Sequence, residues 1–300
     1  MTLAGKADPR TLTDTARSSG AVPDGPTETI APGRAGASLA GVSLALARRE
    51  FIRFIRQPHR LAGSIGQPLI FWLFLGAGLT PSFNAPGMEG MTYLEYFYPG
   101  VLMMMILFAS VFASITIIED RDQGFLQGVL VAPVPRLGIV MGKVGGASLV
   151  ALFQTAILLL AAPFIGLTMG WGGAAMLAVT LVLVSLGFTG LGFLFAWRMK
   201  STSGFHALMM VIMMPMWVLS GAFFPITGVP AWLHAIMLVN PVTHGMTILR
   251  APFYADPGTL LTSAGYLGAL AVVVAWVVVC LSLASMRVGR RDRGAAAALS

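Results

Sequence analysis

Long apolar segments alternate with short polar segments along the chain from residue 61 to its C-terminal tail. Six of the apolar segments approach or exceed the roughly 20 residues that a helix needs to cross a bilayer. None of the six contains Asp, Glu, Lys or Arg. They cover residues 61–80, 100–118, 144–166, 172–197, 206–224 and 260–286. This pattern predicts an all-α integral membrane protein with six transmembrane helices.

The basic residues support this topology. Every Lys and Arg except Arg250 lies in one of four stretches outside the apolar segments: 1–60, 119–143, 198–204 and 287–300. Lys and Arg concentrate in the cytoplasmic loops of multispanning proteins. Because six crossings return the chain to the side on which it began, we expect both termini to be cytoplasmic.

Composition excludes several other classes of protein. Hydrophobic residues make up 56% of the chain and charged residues 10%, so six spans leave room only for tails and loops, not for a catalytic domain. The formal charge of +7 is explained by basic residues at membrane boundaries, and we expect no nucleic-acid partner. With Cys280 as its single cysteine, the chain can form neither an internal disulfide nor a cysteine-ligated metal site.

The N-terminal region divides into a tail and a helix. Residues 1–42 are predicted to form a disordered cytoplasmic tail. From residue 43 to residue 57, apolar side chains that include Phe51, Phe54 and Ile55 share one helical face, and Arg49 and Arg53 share the other. This indicates an amphipathic helix lying in the cytoplasmic interface before span one. The alternative is a charged flank that only fixes orientation.

The loop between spans two and three combines charges with apolar side chains. Four of these side chains form a ridge at helical spacing that suits a partner's groove: Phe125, Leu126, Val129 and Leu130. Pro133 and Pro135 then end the helix. The alternative is that the ridge packs only against the chain's own helices.

Two other kinds of chemistry are not expected. Proton or ion relays need ionisable side chains inside the bundle, and the six predicted spans offer only His206, at the edge of one span. Gly138, Gly142 and Lys143 resemble a phosphate-binding loop, but one spacer residue is missing and Val144 stands where the pattern requires a hydroxyl. Gly142 and Gly146 would instead allow two helices to approach closely.

The segment after span five is apolar but broken. Pro225, Pro230 and Pro241 interrupt residues 225–249, which argues against a straight crossing, and Trp232 suits a membrane interface. An ordinary outer loop with interfacial aromatic residues is the alternative.

Two motifs carry a resemblance to a known family. The loop contributes Glu119, Arg121, Gly124, Leu126, Leu130, Pro133 and Pro135. The outer segment contributes the run from Leu219 through Ser220, Gly221, Ala222, Phe223 and Phe224 to Pro225, then Pro230, Trp232, Asn240, Pro241 and Arg250. From about Leu44 to Met286 the chain resembles the permease subunits of type-2 ABC exporters. It has Gln127 where that family often has glutamate.

The resemblance implies a permease domain over residues 43–286, followed by a cytoplasmic tail over 287–300. It implies that the loop is a coupling helix that docks into a separate cytoplasmic ABC ATPase, and that the outer segment forms re-entrant or interfacial helices. The chain itself would be no enzyme and bind no cofactor, since ATP and magnesium belong to the ATPase subunit.

The resemblance also implies a second copy of the chain or a paralogous permease in the bacterial cytoplasmic (inner) membrane. The exported substrate would be hydrophobic or amphipathic: a drug, a lipid or a lipid-linked glycan. A standalone carrier or channel and a non-transport membrane scaffold are the alternatives.

Overall fold

A computed structural model describes residues 38–82, 90–132 and 134–297, with side chains described as far as Val288. Every regular element within these ranges is a helix, and six helices are long and apolar enough to cross a membrane. The predicted fold class is therefore confirmed. Of the predicted N-terminal tail, residues 1–37 lie outside the described residues, as does Pro133.

The six long apolar helices are α2, α3, α6, α7, α8 and α12. In chain order the helices are α1 (Leu39–Ile55), α2 (Pro58–Leu79), α3 (Tyr93–Ala113), α4 (Thr116–Asp122), α5 (Phe125–Val131), α6 (Arg136–Leu159), α7 (Trp171–Ala196), α8 (Thr202–Trp217), α9 (Ala231–Val239), α10 (Pro241–Tyr254), α11 (Pro257–Leu260) and α12 (Ala264–Ala297). Short 3₁₀ turns follow α2 and α6, and a π-helical turn, Val218–Ala222, extends α8.

Several helices extend beyond the apolar segments that predict them. Helix α3 begins at Tyr93 rather than at residue 100, because the Thr92 hydroxyl accepts from the Glu95 amide while the Glu95 carboxylate accepts from the Thr92 amide. Helix α6 begins at Arg136 and therefore includes Lys143. Helix α12 continues past residue 286 as far as Ala297. Hydropathy alone misses such ends, because polar residues can extend a helix past its apolar part.

Helix α3 lies at the centre of the bundle. Of its most apolar 18-residue stretch, 67% is buried, against 17% for α2 at the edge. It contacts α2, α6, α7, α8 and α10. A single helix therefore packs against four of the other five long apolar helices, and α1, α4 and α5 are grouped at its C-terminal end.

Helix α1 lies directly on the backbone of α6. Gly138, Gly142 and Gly146 form a stripe of glycines, four residues apart, along the contacting face of α6. A Cβ atom added to Gly142 would lie 2.8 Å from the Leu46 Cβ, and one added to Gly146 would lie 2.9 Å from the Ala47 Cα. The close contact expected at Gly142 and Gly146 is thus present, and the partial likeness to a phosphate-binding loop reflects helix packing.

We predict that Gly142→Ala destabilises the protein and that Gly145→Ala does not. The added methyl group at position 142 collides with α1, and overpacking of this kind typically costs about 1–3 kcal/mol. Position 145 has open space around it, so an added methyl group meets no other atom there. The only expected effect is the higher helix propensity of alanine, which favours the helix. Unfolding of the two variants in detergent measures the difference; equal stability would contradict the packing described above.

Candidate functional site

Six charged side chains meet where α1, α4 and α6 converge. They are Arg49, Glu50 and Arg53 of α1, Glu119 and Asp120 of α4, and Lys143 of α6. We call these six residues the charge cluster. It contains three cations and three anions, so its net charge is zero.

Asp120 is the centre of the charge cluster. Its side chain is 0% exposed, yet it accepts hydrogen bonds from three cations. Arg49 binds it with both terminal nitrogens, Nη1 to Oδ2 at 2.9 Å and Nη2 to Oδ1 at 3.0 Å. Arg53 Nη1 donates to Oδ1 at 3.1 Å, and Lys143 Nζ donates to Oδ2. Bidentate contacts between arginine and a carboxylate are among the strongest hydrogen bonds in proteins. The hydrogen bonds to Asp120 raise the pKa of Arg49.

Lys143 and Glu50 form the second buried pair. The Lys143 ammonium donates to Glu50 Oε1 as well as to Asp120. Both side chains are buried, and an unpaired charge there would carry a large desolvation penalty. The more exposed Arg53 completes the cluster by donating to Glu119 Oε2 at 2.7 Å. Helices α1, α4 and α6 are therefore joined through charged groups that need one another.

Arg121 joins α4 to a fourth helix. Its guanidinium donates to the backbone oxygens of Trp197 at 2.7 Å and Met199 at 2.9 Å, just past the end of α7. The last carbonyl groups of a helix have no partner within it, and a cation there also opposes the negative end of the helix dipole. The run from Glu119 to Arg121 thus contacts α1, α6 and the end of α7.

Helix α5 folds back beneath the charge cluster. Gly124 makes the turn from α4 with a φ of 77°, a left-handed value that favours glycine. The centre of the Phe125 ring lies 3.7 Å from the Arg49 guanidinium carbon and 6.0 Å from Lys143 Nζ. Cations over an aromatic face are attracted by its electrons, so α5 is attached to the cluster as well.

The side chains of α5 do not form the exposed ridge that their spacing suggests. Leu126 is only 2% exposed and belongs to the chain's own core, and Leu130 packs against that core. The exposed apolar side chain is Val131, at 87%. Of the two prolines, Pro135 caps the start of α6. A surface for a partner would therefore centre on the end of α5.

Helix α1 is amphipathic with its charged face turned inward. Arg49, Glu50 and Arg53 point to α4 and α6, while Leu44 and Ile55 are exposed. Phe54 is buried, and Phe51 lies edge-on to Phe153 with ring centres 5.5 Å apart. The apolar residues of α1 therefore divide between the core and the outer surface.

The outer segment is held by Arg250. Gly221, with φ of 86°, interrupts the π-helical turn, and Arg250 Nη2 donates to its carbonyl oxygen at 3.1 Å. The same guanidinium lies 4.4 Å from the ring centre of Tyr96 on α3. Ser220 is buried and donates to the Trp217 carbonyl at 2.6 Å. These contacts hold the turn against α3 and α10.

The remaining outer residues define two short helices. Asn240 caps α10 by accepting from the Val242 amide at 3.0 Å and donates to the Met216 carbonyl at 2.6 Å. Pro241 is the first residue of α10. Trp232 is exposed on α9, while Phe224 and Pro225 are half-buried in the loop before it. The prolines thus break the segment, as expected, and two helices follow.

A cavity of about 330 Å³ opens beside the charge cluster. It lies between α1, α2, α3, α6 and α8. Glu50, Arg53 and Arg60 line one part of it, and methionine and phenylalanine side chains of α3 and α8 line much of the rest. Its volume falls within the range typical of small-molecule sites.

Sequence reasoning missed the charge cluster itself. The amphipathic pattern of residues 43–57 indicates an interfacial helix but no buried partners for its charges, and Lys143 directly precedes the predicted span 144–166 rather than lying within it. One signal was available: Lys143 is the only charged residue between Arg136 and Arg198, among apolar residues and glycines. A lone charge in such a setting requires a buried partner.

Comparison with known proteins points to one family. The family model described as ABC-2 type transporter matches residues 43–254. The chain is 29% identical over 208 residues to ycf38 of Cyanophora paradoxa, named as a transport permease, covering 68% of this chain and 71% of the relative. It is 29% identical over 213 residues to the inner membrane transport permease YadH of Escherichia coli (strain K12), covering 68% and 80%. It is 28% identical over 156 residues to YbhR of the same strain, named as a multidrug ABC transporter permease, covering 52% and 42%.

We predict that Lys143→Met lowers the free energy of unfolding by about 3–5 kcal/mol, because it removes the buried cation that Glu50 and Asp120 share and leaves Glu50 only its contact with the more exposed Arg49. Adding Glu50→Gln should recover at least about 1 kcal/mol of this loss, since neighbouring charges couple in double-mutant cycles. Denaturant unfolding in detergent checks both values. Lys200→Met, at an exposed position, is the control and should have no effect. Additive effects of the two cluster substitutions would contradict the pairing.

Proposed function

The chain belongs to the ABC-2 type transporter family, and we propose that it is the membrane-spanning permease subunit of an ATP-driven exporter. The family match confirms the resemblance seen in the loop and the outer segment. It establishes a multi-pass membrane protein and a permease subunit of an ABC transporter. Export, the partner ATPase and the substrate belong to the proposal.

The proposed assembly contains two permeases and two cytoplasmic ATPase subunits. The second permease is another copy of this chain or a paralogue, and the ATPase subunits hold ATP and magnesium. The membrane is the bacterial cytoplasmic membrane, with both termini cytoplasmic. The distribution of basic residues supports this orientation, and one relative is named as an inner membrane permease.

The observation that carries the proposal is the attachment of α4 and α5 to the rest of the bundle. Asp120 and Glu119 bind α1, Lys143 joins both α1 and α4 to α6, and Arg121 binds the end of α7. A displacement of α5 by an ATPase would therefore move several helices together. Rigid groups of helices that rock against one another are the usual basis of alternating access.

The proposed translocation path includes the cavity beside the charge cluster. Four of the candidate spans, α2, α3, α6 and α8, line it together with α1. Its walls are mainly apolar, with many methionine and phenylalanine side chains that adapt to ligands of different shape. This supports a hydrophobic or amphipathic substrate: a drug, a lipid or a lipid-linked glycan.

We predict that Val131→Asp prevents the permease from retaining its ATPase. The side chain is 87% exposed at the end of α5, so the charge would not disturb the core but would lie in the proposed contact. Retention is measured by co-purification after co-expression with the cytoplasmic ABC ATPases of the source organism. We expect at least about a tenfold loss, which corresponds to about 1.4 kcal/mol.

Phe164→Asp is the matched control. Phe164 is 89% exposed in the turn after α6, at the opposite end of that helix from α5, so its substitution should leave ATPase retention unchanged. If the wild-type chain binds no ATPase, or if both variants lose it equally, the coupling proposal is wrong. Substrate movement by the purified chain without any ATPase would favour a standalone carrier.

A further inference from the structure

The polar part of the cavity lies where α1 turns into α2. Gln57 precedes the first residue of α2, and Arg60 and Ser64 follow on its first two turns, all three facing the cavity. On the other side, α3 contributes a wall from Met104 to Phe112, which spans roughly 12 Å at about 1.5 Å per residue. The cavity thus has a polar end beside Arg60 and an apolar wall along α3.

The charges that line the cavity are not balanced. Glu50 is paired with Lys143, and Arg53 is paired with Glu119 and Asp120. Glu50 and Arg53 therefore belong to the neutral charge cluster. Arg60 makes a hydrogen bond to Gln57 Oε1 at 3.3 Å, and within the described residues no carboxylate lies within 4.0 Å of it. The cavity therefore has one unmatched positive charge, at its polar end.

We propose that this cavity binds amphipathic anions, with the phosphate, sulfate or carboxylate head at Arg60 and the apolar chain along the wall of α3. A guanidinium matches the oxygens of such heads with two parallel hydrogen bonds. The Met104, Phe108 and Met210 side chains supply apolar surface for the chain. The proposal gives the substrate class of the transport path. It depends on the proposed function only because it takes the cavity to be part of that path.

Binding can be measured without an ATPase. The purified chain in phosphatidylcholine nanodiscs would be titrated with a fluorescent decyl phosphate, followed by fluorescence polarisation, and with the same chain bearing an alcohol or a trimethylammonium head. We expect the phosphate to bind at least about tenfold more tightly than either analogue, the size of one good charge-assisted hydrogen bond. Equal affinity for all three heads would overturn the proposal.

Variants locate the binding. Arg60→Gln should remove the preference for the phosphate head, and Arg60→Lys should retain part of it because the charge remains. Arg56→Gln is the matched control: Arg56 is a nearby exposed arginine that does not line the cavity, and we expect no change. If both glutamine variants weaken binding equally, the probe responds to surface charge and the proposal fails.

A cavity-filling variant separates this site from contact with bulk lipid. Ala109→Phe places a ring in the apolar part of the cavity and should weaken binding of all three probes while leaving Arg60 in place. Unchanged phosphate binding in this variant would mean that Arg60 meets headgroups outside the cavity, against the proposal. Selective binding together with failure to bind an ATPase would refute the proposed function and leave this inference standing.

Discussion

The buried carboxylate of Asp120 requires compensation, and the structure at the loop end of the bundle follows from that requirement. A carboxylate removed from water is strongly destabilising unless cations and hydrogen bonds replace its hydration. Arg49, Arg53 and Lys143 provide them from two other helices, and Glu50 and Glu119 balance the remaining positive charge. Close approach is also needed, because short contacts between charged groups require backbones that lie near one another. The glycine stripe of α6 meets that condition by bringing α1 onto its backbone.

The same arrangement connects the short helix α5 to the long apolar helices. Helix α5 has little core of its own, but Leu126 is buried in the bundle and Phe125 lies against the charge cluster. Through Arg121 the connection reaches the end of α7. A displacement of α5 would therefore move the helices in contact with it. Separating the ion pairs would leave a charge without compensation, and separating Arg121 from α7 would leave the end of that helix without its hydrogen bonds. Near the N-terminal end of α3, Arg250 plays a comparable part by holding the π-helical turn against that helix.

Much of the fold could be predicted from the sequence, but the charge cluster could not. Uninterrupted apolar runs reveal six spans because backbone groups in a bilayer must be satisfied within a helix. The prolines likewise reveal that the segment after span five is broken. Periodicity shows that Arg49, Glu50 and Arg53 share a face, but it does not show whether that face meets water or protein. The same limit applies to Leu126, whose spacing indicates a ridge although its side chain is buried. The bond from Arg250 to Gly221 depends on two distant segments meeting, which no local pattern reveals.

The inward charged face of α1 has a consequence for how the protein is made. Synthesis proceeds from the N-terminus, so Arg49 is complete 71 residues before its partner Asp120, and Glu50 is complete 93 residues before Lys143. During that interval the charges of α1 lack their partners on α4 and α6, and hydration at the membrane surface is the favourable state for them. Helix α1 can therefore take its final position only after spans two and three have been inserted. Helix α1, the first of the described helices, is therefore positioned after helices that follow it in the sequence.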